Sequence, residues 1–221
     1  MKILIIGATG RLGKFLVEYA LQKGHRVTAF ARNIEELGIE HENIRLVKGD
    51  VLYPTLIEAA IAGHEAVLSV IGIRKFSGPI TLLSRGVRNI VDAMEKHDVR
   101  RLITVTGAGI LQENEHRLIM ESLSFPPNLQ NISLDHHRVY KVLQMSQLEW
   151  TIVCPAFMVR REATGQYLTR ADYYPTGVLN EVSLPDVADF ITDEVKANQF
   201  VGRRVGIAEA ASYDEEEELG I

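Results

Sequence analysis

The sequence predicts a single α/β domain built on a doubly wound, mostly parallel sheet. Strand-like and helix-like segments alternate along most of the chain. The strand segments are continuous apolar runs rather than alternating ones, the pattern of strands covered on both faces. A glycine triplet stands where the first strand would turn into the first helix. With 221 residues, 46% of them hydrophobic and 24% charged, the chain carries enough apolar material for one such core.

Taken in order, residues 3–6, 27–31, 44–47, 66–71, 102–105 and 151–153 read as the strands. Leu12, Leu16, Ala20 and Leu21 share one face of a first helix, which Gly24 closes as a left-handed C-terminal residue. Leu83, Val87, Ile90, Val91 and Met94 form the clearest helical stripe. A last helix starts at Ser183-Leu184-Pro185-Asp186, with a hydroxyl to cap it and proline in its first turn. Right-handed crossovers then give the strand order 3-2-1-4-5-6. Regularity fails over residues 107–132, which hold one amphipathic stretch near 118–123, and over residues 156–184. Both segments follow carboxyl ends of strands, where open α/β sheets bind ligands, so they are expected to cover the substrate side. Residues 1–208 are assigned to the domain, and residues 209–221, with their acidic block, to a solvated tail.

The bulk properties exclude several classes. A net charge of −5 argues against nucleic acid as a partner. The one cysteine, Cys154, allows no internal disulfide and lies in an apolar run that reads as buried strand. The seven histidines lack the spacing of a metal site, so no metal is expected. No apolar run approaches the roughly 20 residues that span a bilayer, and the N-terminal run is too short for a signal peptide. A cytoplasmic protein that does not enter membranes is the expectation.

The motif Gly7-Ala8-Thr9-Gly10-Arg11-Leu12-Gly13 carries the chemistry. Gly7 permits a sharp turn, Gly10 a close approach of backbone to a pyrophosphate, and Gly13 tight packing of helix on strand. The backbone at Thr9, Arg11 and Leu12 then offers free N–H groups and the positive end of a helix dipole. This is the dinucleotide cradle of a Rossmann fold. NAD-binding sheets end the second strand with an acid that holds the ribose 2′-OH. Here that position reads Ala31-Arg32-Asn33. A guanidinium suits a 2′-phosphate and an acid would repel it, so NADP(H) is the expected cofactor, with Arg32 as its reader and Arg11 as a second cation.

The glycine motif, together with Ala31-Arg32 and Gly49-Asp50-Val51, resembles the atypical short-chain dehydrogenase/reductase superfamily. Val70-Ile71-Gly72-Ile73-Arg74, the segment from Gly86 to Met94, the segment from Leu134 to Leu143, and Cys154-Pro155 narrow the match. Together they are similar to the biliverdin-IXβ reductase or NADPH-dependent flavin reductase group. Regulators of the NmrA type share much of this frame. The resemblance covers most of residues 1–207 and implies that Asp50 and Val51 hold the adenine. It implies that Ile71, Gly72 and Arg74 line the ribose and phosphate path. Thr106 and Gly107 would sit near the nicotinamide, with Pro155 bordering the same edge.

Short-chain reductases of the standard kind use serine, tyrosine and lysine, with tyrosine four residues before lysine on one helix face. The one such pair here is Tyr19 and Lys23, on the first helix and read as a surface pair. The helix that should carry the motif has His137 four residues before Lys141, with Tyr140 beside the lysine, and Gly107 stands in the serine's place. Proton delivery to a ketone is therefore disfavoured. Hydride transfer to a flat conjugated acceptor, such as a flavin or linear tetrapyrrole, needs mainly orientation of two rings. Thr106, His136 and Tyr140 are the candidate catalytic residues. Phe157 stands where the resembled group carries histidine, which bears on acceptor choice. The alternative from another class is a non-catalytic NADP(H) sensor that binds a protein partner.

Overall fold

The computed structural model describes residues 1–73 and 78–211. In chain order they form β1 (Lys2–Ile6), α1 (Arg11–Gln22), β2 (Arg26–Ala31), β3 (Ile44–Lys48), α2 (Pro54–Ile61), β4 (Ala66–Ser69), α3 (Leu82–Lys96) and β5 (Arg101–Val105). There follow β6 (Gln112–Asn114), β7 (Arg117–Leu118), α4 (Gln130–Gln144), β8 (Glu149–Pro155), β9 (Phe157–Val159), β10 (Tyr167–Ala171), β11 (Glu181–Ser183), α5 (Leu184–Ala197) and β12 (Arg203–Glu209). The central sheet runs β10-β12-β8-β5-β4-β1-β2-β3. Every neighbouring pair in it is parallel except β10 with β12. The expected order is therefore present, and the chain reverses direction across the sheet between β1 and β4. The carboxyl ends of those two strands open the crevice where this fold class binds ligands.

Side chains alternate along β1 between two cores. Ile3 and Ile5 pack under α1 and α5, while Leu4 and Ile6 pack under α2, α3 and α4. Gly24, at φ +74°, closes α1 as expected. Its N–H bonds the Leu21 carbonyl at 2.9 Å, and the His25 N–H bonds that of Ala20 at 3.0 Å, the paired bonds of a Schellman motif. Ser183 caps α5 by accepting the Asp186 N–H at 3.0 Å. A buried ion pair ties the start of β5 to α5: Arg101 donates to Glu194 Oε1 and, on β8, to Thr151 Oγ1, both at 2.9 Å.

Two expectations need correction, and two readings gain detail. Tyr19 and Lys23 lie at the surface as read, where Lys23 also bonds Asp189 and Asp193 of α5 at 2.7 and 2.6 Å and so clasps α1 to α5. Residues 156–184 are not irregular throughout; they contain β9, β10 and β11. The amphipathic stretch near residues 118–123 contains a 3₁₀ turn, Ile119–Glu121. Finally, the folded body extends past residue 208. Glu209 ends β12, and the Ala211 N–H bonds the Gly177 carbonyl at 3.0 Å. The acidic block 214–218 lies outside the described residues. Among those residues no helix is long and apolar enough to cross a membrane.

Candidate functional site

The loop between β1 and α1 is shaped by backbone, not by side chains. Gly7 has φ +91°, and a Cβ there would stand 2.7 Å from the Val70 carbonyl oxygen of the neighbouring crossover. A Cβ on Gly13 would collide with the Gly7 carbonyl and lie 2.8 Å from the Ala8 carbonyl carbon. Gly10 differs: it is exposed, and an added Cβ would meet only the Gly7 oxygen, at 3.1 Å. Its open side is where a ligand can reach the chain. Gly10 is the N-cap of α1, yet no side chain caps the helix and no acid stands in its first turn. The first bond of the helix runs from the Lys14 N–H to the Gly10 oxygen at 3.1 Å. The N–H groups of Arg11, Leu12 and Gly13 thus point out of the helix start without an intrahelical acceptor. An acid-free helix N-terminus with free amides fits a pyrophosphate.

On one flank of this cradle, Arg32 stands exposed just past β2, without a carboxylate partner among the described residues. Its neighbours are occupied elsewhere: Lys14 bonds the Glu36 carbonyl at 2.8 Å, and Lys48 pairs with Glu35 at 3.0 Å. Arg11 spends one N–H on the Met158 carbonyl at 3.0 Å, which ties the start of α1 to β9. Asp50 uses one carboxylate oxygen to accept the Leu52 N–H at 2.9 Å, closing the turn before α2. Val51 is buried, with its carbonyl held by Asn89 at 2.9 Å, and a Cβ on Gly86 would sit 2.9 Å from its side chain. Ile71 is half-buried beyond β4, and Gly72 is exposed with open space around it. Arg74 lies outside the described residues. The remaining positions ring the carboxyl ends of β1, β2, β4 and the segment after β3, as a bound dinucleotide would require.

At the other flank, past β5, Thr106, Gly107 and His136 come together. A Cβ on Gly107 would lie 3.3 Å from His136 Cε1 and 3.4 Å from Nδ1, so the imidazole fills the space beside the missing side chain. His136 Nδ1 is buried without a hydrogen-bond partner among the described residues. Burial pushes the ring's pKa down to about 4, against a smaller opposing pull from Asp135. Thr106 is buried, with its hydroxyl 3.2 Å from Cys154 Sγ. That thiol is fully buried and pushed up to about 12, so Cys154 is an inert core residue. Pro155 ends β8 at the same edge, and Phe157 beyond it is 70% exposed.

The structure does not bring Tyr140 to this group. It lies one helical turn further along α4, edge-on to Trp150 at 5.9 Å, with the Arg204 guanidinium 4.4 Å from its ring centre. Its phenol oxygen accepts from Gln144 at 2.8 Å. Trp150 pairs with Leu102 near the start of β5, which sets Tyr140 below the carboxyl edge of the sheet.

One residue that sequence reasoning missed holds this end in place. Asp135 is fully buried and caps α3 from α4: it accepts the Leu83 N–H at 2.9 Å and the Ser84 hydroxyl at 2.5 Å. A carboxylate at a helix N-terminus is stabilised by free amides and the dipole. It also fixes α4 where its next residue, His136, faces Gly107.

Acid is expected to destabilise this fold within a defined window. His25 has both ring nitrogens buried without partners, and burial, helped by Lys196, the N-terminal ammonium and Lys23, holds its pKa at about 4 instead of 6.5. His136 is shifted alike. Between those values the unfolded chain binds protons that the folded chain refuses. Stability therefore falls as pH drops below the ordinary histidine value and levels off below the folded one. A loss of about 3 kcal/mol for each ring is expected over the whole window. Urea unfolding across this range measures it, and His25→Phe should flatten the slope. A pH-independent midpoint would contradict the neutral burial of these rings.

Comparisons with known proteins identify the family and the fold. The family model described as NAD(P)H-binding matches residues 7–198. YwnB of Bacillus subtilis strain 168, an uncharacterized protein, is 26% identical over 218 residues, which cover 96% of this chain and 100% of YwnB. The crystal structure of a Streptococcus pneumoniae TIGR4 protein, provisionally named an NADH-flavin reductase, superposes with a TM-score of 0.82 at 25% identity. That match covers 95% of this chain and 99% of the other. A short-chain dehydrogenase/reductase of Veillonella parvula DSM 2008, solved in complex with NADP, shares the fold with a TM-score of 0.76 at 21% identity over 94% of each chain. With its open amide cradle at the first crossover and a family match over nearly its whole folded length, the chain belongs to the NAD(P)H-binding family and carries its Rossmann-type oxidoreductase fold.

Proposed function

We propose that the protein is an NADPH-dependent reductase of flat conjugated acceptors, with flavins as the leading class. The observation that carries the reading is the uncapped, acid-free start of α1, with Arg32 exposed beyond it and unpaired among the described residues. The free amides of Arg11, Leu12 and Gly13 would hold the pyrophosphate. Arg32 would read the 2′-phosphate by charge-assisted bonds, and Asp50 with Val51 would border the adenine. Ile71 and Gly72 would line the path to the nicotinamide edge, formed by Thr106, Gly107 and Pro155. Bound NADPH would supply a hydride to an acceptor with its own electron sink. The chain's part is then to stack and orient the two rings and exclude water between them. Phe157, exposed beside Pro155, offers an apolar face for that purpose. His136, neutral at physiological pH, would donate a hydrogen bond into the cleft rather than a proton. Support for this chemistry over ketone reduction comes from Gly107 in place of serine and from the engagement of Tyr140 with Trp150, Arg204 and Gln144.

The same engagement of Tyr140 favours a second reading, an NADP(H) sensor that meets a protein partner and turns nothing over. Mixing the purified protein with NADPH and FMN, riboflavin or biliverdin, and following nicotinamide absorbance, separates the two. Acceptor-dependent loss of absorbance is expected. Tight NADPH binding with no turnover of any of these acceptors would replace the reductase by the sensor.

A further inference from the structure

Between β4, β5, α3 and α4 lies a small, partly open cavity of about 10 Å³, with Ser69, Thr104, Thr106 and His136 as its polar lining and Leu83 and Val139 among its apolar walls. Its size matches one water molecule, which needs roughly 10–15 Å³ and two to four polar partners. Two groups on its wall are orphans: Ser69 Oγ and His136 Nδ1 are both buried with no hydrogen-bond partner among the described residues. Buried polar atoms are nearly always paired, by ordered water where protein does not reach. Two further hydroxyls line the same space. Thr104 donates to the Ser69 carbonyl at 3.3 Å, and Thr106 contacts Cys154 Sγ at 3.2 Å.

We propose that Ser69, through one water in this cavity, fixes the tautomer of His136 so that Nδ1 accepts and Nε2 carries the proton toward the cleft. The direction follows from counting donors. The Ser69 hydroxyl has no acceptor among the described residues, so it donates to the water. The water must then place its own hydrogens. An imidazole nitrogen with a free lone pair is a stronger acceptor than threonine hydroxyls already engaged. The bond made by one ring nitrogen decides where the other holds its hydrogen. His136 as a whole is partly exposed while Nδ1 is sealed, so Nε2 is the edge that meets the cleft. Ser69 is thus a positioning residue: it sets the polarity of the group facing the nicotinamide edge without touching it. The direction of that N–H matters to function only through the reductase site proposed above; the tautomer itself can be read without cofactor.

The test is long-range ¹⁵N–¹H correlation on histidine-labelled protein near neutral pH. Wild type should show His136 as a single Nε2–H tautomer. Ser69→Ala should move both ring nitrogens toward the averaged positions of a tautomer mixture. Gly107→Ser places a hydroxyl next to Nδ1, since the Cβ would be 3.4 Å away, and in the Ser69→Ala background it should restore the single tautomer. A merely structural Ser69 would not be rescued in this way. A wild-type spectrum with the proton on Nδ1, or a Ser69→Ala spectrum identical to wild type, overturns the proposal, and the first needs no variant to fold. NADPH calorimetry on the same samples reads the cofactor site separately: no heat with the predicted tautomer would sink the reductase reading and leave the Ser69 relay standing.

Discussion

Gly10→Val is expected to weaken NADPH binding by about 100-fold or more, roughly 3 kcal/mol, while the protein stays folded. The backbone at Gly10 is extended, with φ −67° and ψ 168°, a region that valine occupies without strain. Its Cβ would meet a single protein atom, the Gly7 oxygen at 3.1 Å, so the added methyls project into the open side of the cradle. They would stand where a pyrophosphate must come within hydrogen-bond reach of the Arg11, Leu12 and Gly13 amides. The cost to the fold is about 1 kcal/mol, the price of a poorer N-cap residue. Gly13→Val is the contrast. There the Cβ runs into the Gly7 carbonyl and the Ala8 backbone, which cannot rotate away. A loss of about 3 kcal/mol or more in unfolding free energy is expected, with binding lost as a consequence. Calorimetric titration of NADPH beside urea unfolding distinguishes the two. Normal affinity in a folded Gly10→Val protein would mean that the ligand does not approach this backbone.

Arg32→Ala is expected to cost NADPH about 1.5–3 kcal/mol, roughly 10- to 150-fold in affinity, with NADH nearly unaffected. The reason is local. Arg32 ends β2 exposed and without a carboxylate partner among the described residues, whereas Lys14 and Lys48 nearby are committed to Glu36 and Glu35. A guanidinium free of internal bonds can turn its planar fork on a phosphate. Because the contact would be exposed, rising salt should weaken NADPH binding in the wild type more than in the variant. Titrations of both dinucleotides at two ionic strengths read this out. Equal losses for NADPH and NADH would assign Arg32 to something other than the 2′-phosphate.

The parts of the fold legible in the sequence are those set by neighbours along the chain. The turn at Gly7, the Schellman closure at Gly24 and the Ser183 cap each depend on a few consecutive residues, and each forms as read. The buried runs of β1, β4 and β5 announce a parallel sheet by composition. What stayed hidden depends on residues distant in the chain. Asp135 caps α3 across 52 positions, and Arg101 meets Glu194 across 93. No spacing rule points to either pair. β12 begins Arg203-Arg204 and contains Gly206, a composition that masks a strand; Arg204 is buried only because Asp172 and the Ile110 carbonyl satisfy it. β10 reads as loop because it is a half-exposed edge strand, whose antiparallel pairing to β12 the crossover rules do not supply.

At the proposed site, the glycine-shaped start of α1 and the exposed Arg32 past β2 were legible because each depends on a few consecutive residues. The chemical end was less so. Histidine at position 136 could have been a surface residue on α4; its burial against Gly107 follows from Asp135 and from the absence of a side chain at position 107. Tyr140, chosen for its place beside Lys141, belongs instead to an aromatic and guanidinium stack that the sequence alone does not assemble.

Titrating NADPH into ¹⁵N-labelled protein tests most directly where the dinucleotide sits. The amide resonances of Arg11, Leu12 and Gly13 should show the largest shifts and saturate together, as hydrogen bonds to a pyrophosphate form at the start of α1. Saturation with those three amides unmoved would place the ligand elsewhere and contradict the site described here.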